Sequence, residues 1–176
     1  MGEIKSTLDL VLEKTKHLKL SEKERQEQTL RETRGRLKGL LEKYSDRRLS
    51  LEQVQKELAV LKKTAEGIDD HWLLIETLIH VQPDRDNTAL VALMRDFFRI
   101  DATRLESALI AYARAMQSAA EGRSAVIRET LSRTVAISGS AVVPNLESDR
   151  EWTAVRESLR AEHAAVLEGI KAGLVG

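Results

Sequence analysis

Between Asp69 and His80 the chain reads DDHWLLIETLIH, placing three carboxylates, two histidines and a tryptophan within twelve residues. On a wheel advancing 100° per residue, Asp69, Glu76 and His80 share a narrow stripe, and Ile68, Trp72, Ile75, Leu78 and Ile79 take the opposite face. Two carboxylates and an imidazole on one stripe could bind a divalent cation, with Glu76 and His80 one turn apart and able to share it. The competing reading is a solvated helix back, because one helix cannot close a coordination shell. A di-iron bundle needs Glu-x-x-His on two helices, and that spacing occurs nowhere in the chain. His71, beside the apolar arc, reads as a packed histidine, and His163 sits among alanines. His17 in KTKHLKLS reads as a polar-face residue.

A second chemical candidate is RETRGRLKGLLEKYSDRR, which gathers Arg31, Arg34, Arg36, Lys38, Lys43, Arg47 and Arg48. Such a segment could contact phosphates. Glu32, Glu42 and Asp46 dilute it, and it lacks the interleaved aromatics on which bases stack, so nucleic acid is the weaker expectation. Gly35 and Gly39 in the same stretch mark a bend or a close helix crossing.

The remaining chemistry is defined by exclusion. The chain has no cysteine, which removes disulfides, thiolate metal sites and thiol nucleophiles. No phosphate-cradling glycine loop, zinc-protease pair or nucleophile elbow is present, so no cofactor and no catalytic residue is expected. Lys plus Arg equals Asp plus Glu at 28 each, so no global field draws the chain to nucleic acid or an anionic membrane. Charge is polarised instead: through Glu66 there are 16 basic and 12 acidic residues, and after it 12 and 16. Asp9 and Glu13 interrupt the apolar run that a signal peptide requires, and no stretch reaches the length of a membrane span. MGEIKS fits the short myristoylation pattern at Gly2 and Ser6 but has no polybasic companion. These features predict a cytoplasmic protein without a membrane partner.

The elements that must carry these residues are helices. Apolar residues recur every three or four positions, hydrophobic content is 42% and aromatic content only 3%, so the interior is built from Leu, Ile, Val and Ala. Ile4, Leu8, Val11, Thr15 and Leu18 follow a 4-3-4-3 spacing, which keeps a narrow stripe facing a partner helix. SEKE at Ser21 opens a second helix through a capping box, and Leu30, Leu37, Leu41 and Tyr44 form its seam. Ser50 and Gln53 form another box, before a helix whose seam runs through Leu51, Val54, Leu58, Leu61, Ala65 and Ile68, a spacing that carries the helix on through Gly67. Pro83 ends the helix of the opening stretch near Val81. TALVALMRDFF, apolar nearly all round, reads as a buried central helix. A long alanine-rich helix follows Asp101 to about Ile137, with Gly122 a place for a kink. SGSAVVPN is a linker expected to tuck its Ala-Val-Val run inward, and a last helix from about Ser148 carries Trp152, Val155, Leu159, Val166 and Ile170.

The expectation is an all-α bundle of about six helices, with residues 1–66 as a lysine-rich N-terminal helical hairpin or coiled-coil-like arm and 67–176 as the helical core. The favoured function is protein–protein interaction or oligomerisation without catalysis, a dimer being the default and another protein partner possible. Ile4, Leu8, Val11, Leu18, Leu30, Leu37, Leu41 and Tyr44 are the candidate contacts. Metal or small-ligand binding through Asp69, Glu76 and His80 is the rival reading, and weak nucleic-acid binding through Arg31–Arg48 the third.

Overall fold

The computed structural model describes residues 21–63, 67–139 and 141–175. Among these the chain is all-helical: α1 (Glu22–Ser45), α2 (Leu51–Lys62), α3 (Asp70–Ile79), α4 (Thr88–Asp96), α5 (Thr103–Val135) and α6 (Arg150–Val175), with a 3-10 turn at Leu146–Ser148 and no strand. Ile4, Leu8, Val11, Leu18 and Ala65 lie outside the described residues.

Both capping boxes form. Ser21 Oγ accepts from Glu24 N while Glu24 Oε2 accepts from Ser21 N, and Ser50 and Gln53 repeat the exchange at the start of α2. Each box satisfies donors that a helix start leaves without partners. α2 stops at Lys62 rather than running past Gly67, whose φ of 87° is a left-handed conformation that breaks the path. α3 then starts from its own cap, Asp69 Oδ1 accepting from Trp72 N at 2.8 Å.

One hydrophobic cluster joins all six helices, running from Leu37, Leu40 and Leu41 of α1 through Val54 and Leu58 of α2, Leu73 and Leu78 of α3 and Leu93 and Met94 of α4 to Leu105 of α5 and Leu167 of α6. The 1–66 segment is therefore continuous with the core over the second half of α1 and all of α2. Among the described residues of that segment, the first two turns of α1, Glu22–Gln28, stand exposed on every side, as their charges require. This relocates two of the candidate contacts: Leu37 and Leu41 are fully buried inside the chain, and Leu30 and Tyr44 are half-buried against the same cluster. A side chain already desolvated by its own fold has no apolar surface left to offer a partner.

α5 is a continuous 33-residue helix, about 50 Å long. Gly122 does not interrupt it. α6 returns antiparallel along its first two-thirds, with Tyr112 against His163 at 5.3 Å between ring centroids and Arg123 donating to Asp149 through two 2.8 Å bonds. Asp149 Oδ1 also caps α6 by accepting from Trp152 N at 2.7 Å. Beyond Arg123 the end of α5 outruns α6 and, among the described residues, is accompanied only by the linker, where Arg128 Nε donates to Val142 O. The expected inward tuck of Ala-Val-Val is half met: Val142 is partly covered, whereas Val143 is 82% exposed.

Candidate functional site

The Asp69, Glu76 and His80 stripe does not become one site. Asp69 and His80 cap opposite ends of α3, and eleven residues of helical rise separate them by about 16 Å. The Asp69 carboxylate is spent on the cap. The Glu76 carboxylate faces α1 and accepts from Arg34 Nε at 2.6 Å, with its side chain only 10% exposed. Among the described residues no group of three His, Cys, Asp or Glu side chains is placed to hold a metal ion.

The apolar face drawn by the wheel is only partly inward: Ile68 and Leu78 are buried and Trp72 is half-buried. The buried residues of α3 are Leu73, Leu74, Glu76, Thr77 and Leu78, whereas Ile75 and Ile79 are exposed. A ten-residue helix packed between α1 and α6 is oriented by its neighbours, and two polar inward residues are tolerated because each has a partner: Glu76 has Arg34, and Thr77 Oγ1 donates to Leu73 O at 2.7 Å. His71 is exposed rather than packed.

His80 instead lines a cleft of about 390 Å³ between the end of α1, the end of α3 and the turn before α4. Asn87 fixes that turn: its amide donates to Gln82 O at 2.7 Å and Arg85 O at 2.8 Å, and its oxygen accepts from Gln82 N. Asp86 supplies the cap that Asn87 cannot, accepting from Thr88 N at 2.9 Å, and those Thr88 bonds hold its carboxyl below the ordinary aspartate range. Burial, then Lys38, lowers the His80 pKa, so the ring favours its neutral form. Ser45 shares the cleft, yet no hydrogen bond joins it to His80, so no nucleophile–base pair is assembled. The cleft can accept a small polar group but shows no catalytic arrangement.

A second polar cluster carries no signature in the sequence. Tyr112 of α5 is buried and its hydroxyl donates to Asp84, which also takes Arg160 Nε of α6 at 2.8 Å. Desolvation, followed by the Asp84 bond, pushes the Tyr112 pKa up to about 12, so the phenol stays a donor. The cluster ties the turn after Pro83 to both long helices. With each charge answered by an opposite one, it is a structural fastening.

The basic segment is divided by helix geometry. Arg31, Arg34 and Lys38 lie on one side of α1, and Arg36 and Lys43 more than a quarter-turn away. Arg34 is engaged with Glu76, Lys38 lies 4.0 Å from Glu42 and Arg48 3.5 Å from Asp46. No continuous cationic face results.

What the fold leaves open is apolar. At the end of α5 and in its linker, Val126, Val135, Ile137 and Val143 are at least half exposed. On the outer face of α3, Ile75 and Ile79 floor a groove against Ala172 and Val175 of α6. No helix among the described residues is long and apolar enough to cross a membrane. No family model matches the chain, and neither a curated protein nor a solved structure matches it.

Proposed function

We propose that this chain is a helical interaction module that self-associates through the projecting end of α5. The observation that carries the reading is the uncovered apolar set Val126, Val135, Ile137 and Val143, with the first three at 50%, 56% and 50% exposure. Among the described residues no helix lies beside the last three turns of α5, so their apolar side chains stay in water unless something packs on them. The linker covers one side through Val142 and leaves the other open.

A second copy is the occupant that fits. Arg133 pairs with Glu129 at 2.6 Å and Arg123 with Asp149, which leaves Arg128, donating to the Val142 carbonyl, as the residual charge of this end, small enough for salt to screen between two copies. Val126 and Val135, nine residues apart, lie on opposite sides of α5, so it is the tip as a whole that pairs, and a twofold pairing of two tips closes at two copies. The favoured contacts thus move from Leu37 and Leu41, which the core has consumed, to the tip of α5. Sedimentation across a concentration series tests this: the wild type sediments as a dimer, and Val126→Glu with Val135→Glu sediments as a monomer with unchanged helicity. A wild type that stays monomeric at tens of micromolar overturns the reading.

A further inference from the structure

We propose that the chain's own N-terminal segment, led by Ile4 and Leu8, fills the groove that the outer face of α3 forms with the end of α6. This does not rest on self-association through α5, because the surface is a different one.

The groove measures about 310 Å³ and is lined by Ile75, Leu78, Ile79, Ala172 and Val175, with the Glu168–Lys171 pair on its rim. Around α3, Glu76 meets α1, Leu73, Thr77 and Leu74 turn inward, and Leu78 lies toward α6. The arc left between α6 and α1 holds Ile75 and Ile79, with Trp72 at its edge beneath the Arg34 guanidinium, 6.0 Å from the ring centroid. Two β-branched side chains one turn apart, walled on one side by α6, are a floor shaped for another helix.

The chain outside the described residues has the pattern and the reach to occupy it. Ile4, Leu8 and Val11 begin a stripe at 4-3 spacing, the pattern of a helix that packs along one narrow seam. Ser21 is extended, with ψ of 156°, so the backbone preceding α1 does not continue its axis. α1 and α3 run parallel, since Arg34 meets Glu76 while Glu42 and His80 line one cleft. Ser21 lies thirteen residues, about 20 Å, before the level of Glu76. A helix doubling back from Ser21 covers about 26 Å by Ile4, which sets Ile4 within about one residue's rise of the level of Ile79 and Leu8 likewise of Ile75. Both pairs are four residues apart and antiparallel, so they meet in register.

Because the chain has no cysteine, engineered thiols report this directly. In the full chain, Ile4→Cys with Ile79→Cys, and separately Leu8→Cys with Ile75→Cys, are expected to oxidise to a bond within one chain. Leu8→Cys with Ile110→Cys is the control expected to stay reduced. Both groove pairs remaining reduced, or cross-linking two chains instead of one, would overturn the proposal. As a second readout, amide exchange across residues 4–18 is expected to quicken by about tenfold or more in Ile79→Glu. Exchange equally fast in the wild type and the variant would also overturn it.

Discussion

Arg34 and Glu76, 42 residues apart in sequence, meet with Nε 2.6 Å from Oε1, and through this pair α1 holds α3 with a carboxylate facing inward. The Glu76 side chain is 10% exposed and that of Arg34 58%, so one partner is nearly dry and the other mostly solvated. Removing the cation strands a desolvated carboxylate, whereas removing the carboxylate returns Arg34 to water. Arg34→Ala is therefore expected to lower unfolding stability by about 1–2 kcal/mol, with screening on the arginine side keeping the cost at that level. Glu76→Leu is expected to cost less than Arg34→Ala, since an apolar residue suits that position once its cation is gone. Urea unfolding of both variants checks the order, and an inverted order would show that the pair does not orient α3.

Leu37 and Leu41 test the difference between a core and a contact. Both are fully buried in the single cluster. Leu37→Ala is expected to cost about 2–5 kcal/mol, with the cavity adding to the lost burial. The loss is expected in the unfolding midpoint of the chain, not as a dimer that dissociates into stable monomers. A variant of native stability but reduced mass would return Leu37 to an interface.

The features that the sequence makes legible are local. The two capping boxes, the turn at Pro83 and the all-helical class depend on residues within a few positions of one another, and each forms as read. The orientation of α3 does not depend on such neighbours: Ile75 and Ile79 stay outside while Glu76 turns inward, where Arg34 of α1 answers it from 42 residues away. The Tyr112–Asp84–Arg160 fastening is hidden for the same reason, its members coming from a turn and two different helices. The seam of Leu30, Leu37, Leu41 and Tyr44 was readable as a packing face, but periodicity cannot say whether the face meets its own chain or another.

Tyr112 predicts a loss of stability at high pH. Its folded pKa of about 12 exceeds the ordinary phenol value of about 10, so the folded state holds the proton more tightly. The resulting stability is complete below about pH 10 and is lost as pH rises from there through about 12. Tyr112→Phe is expected to be less stable at neutral pH by about 1 kcal/mol, for the lost bond to Asp84. Its stability should also fall less steeply above pH 10 than that of the wild type. Phenolate absorbance gives the second check, with one tyrosine of the wild type titrating near pH 12 and absent from the variant.

His80 predicts the opposite limb. Burial, and next to it Lys38, lower its pKa, with Arg85 acting in the same sense and Glu42 and Glu76 opposing. A histidine in the unfolded chain takes up its proton as pH falls through about 6.5, while the folded ring resists until lower pH. In that window the unfolded state binds more protons, so stability is present above about pH 6.5 and declines as pH falls through the folded value. His80→Gln keeps a polar side chain at the cleft without the titration, and its unfolding free energy is expected to change less between pH 7 and pH 5 than that of the wild type. Urea unfolding across that range compares the two slopes, and imidazole resonances locate the titration itself. Equal slopes, or a His80 resonance titrating at or above the ordinary histidine value, would show that the ring is solvated and that the α1–α3 cleft does not enclose it.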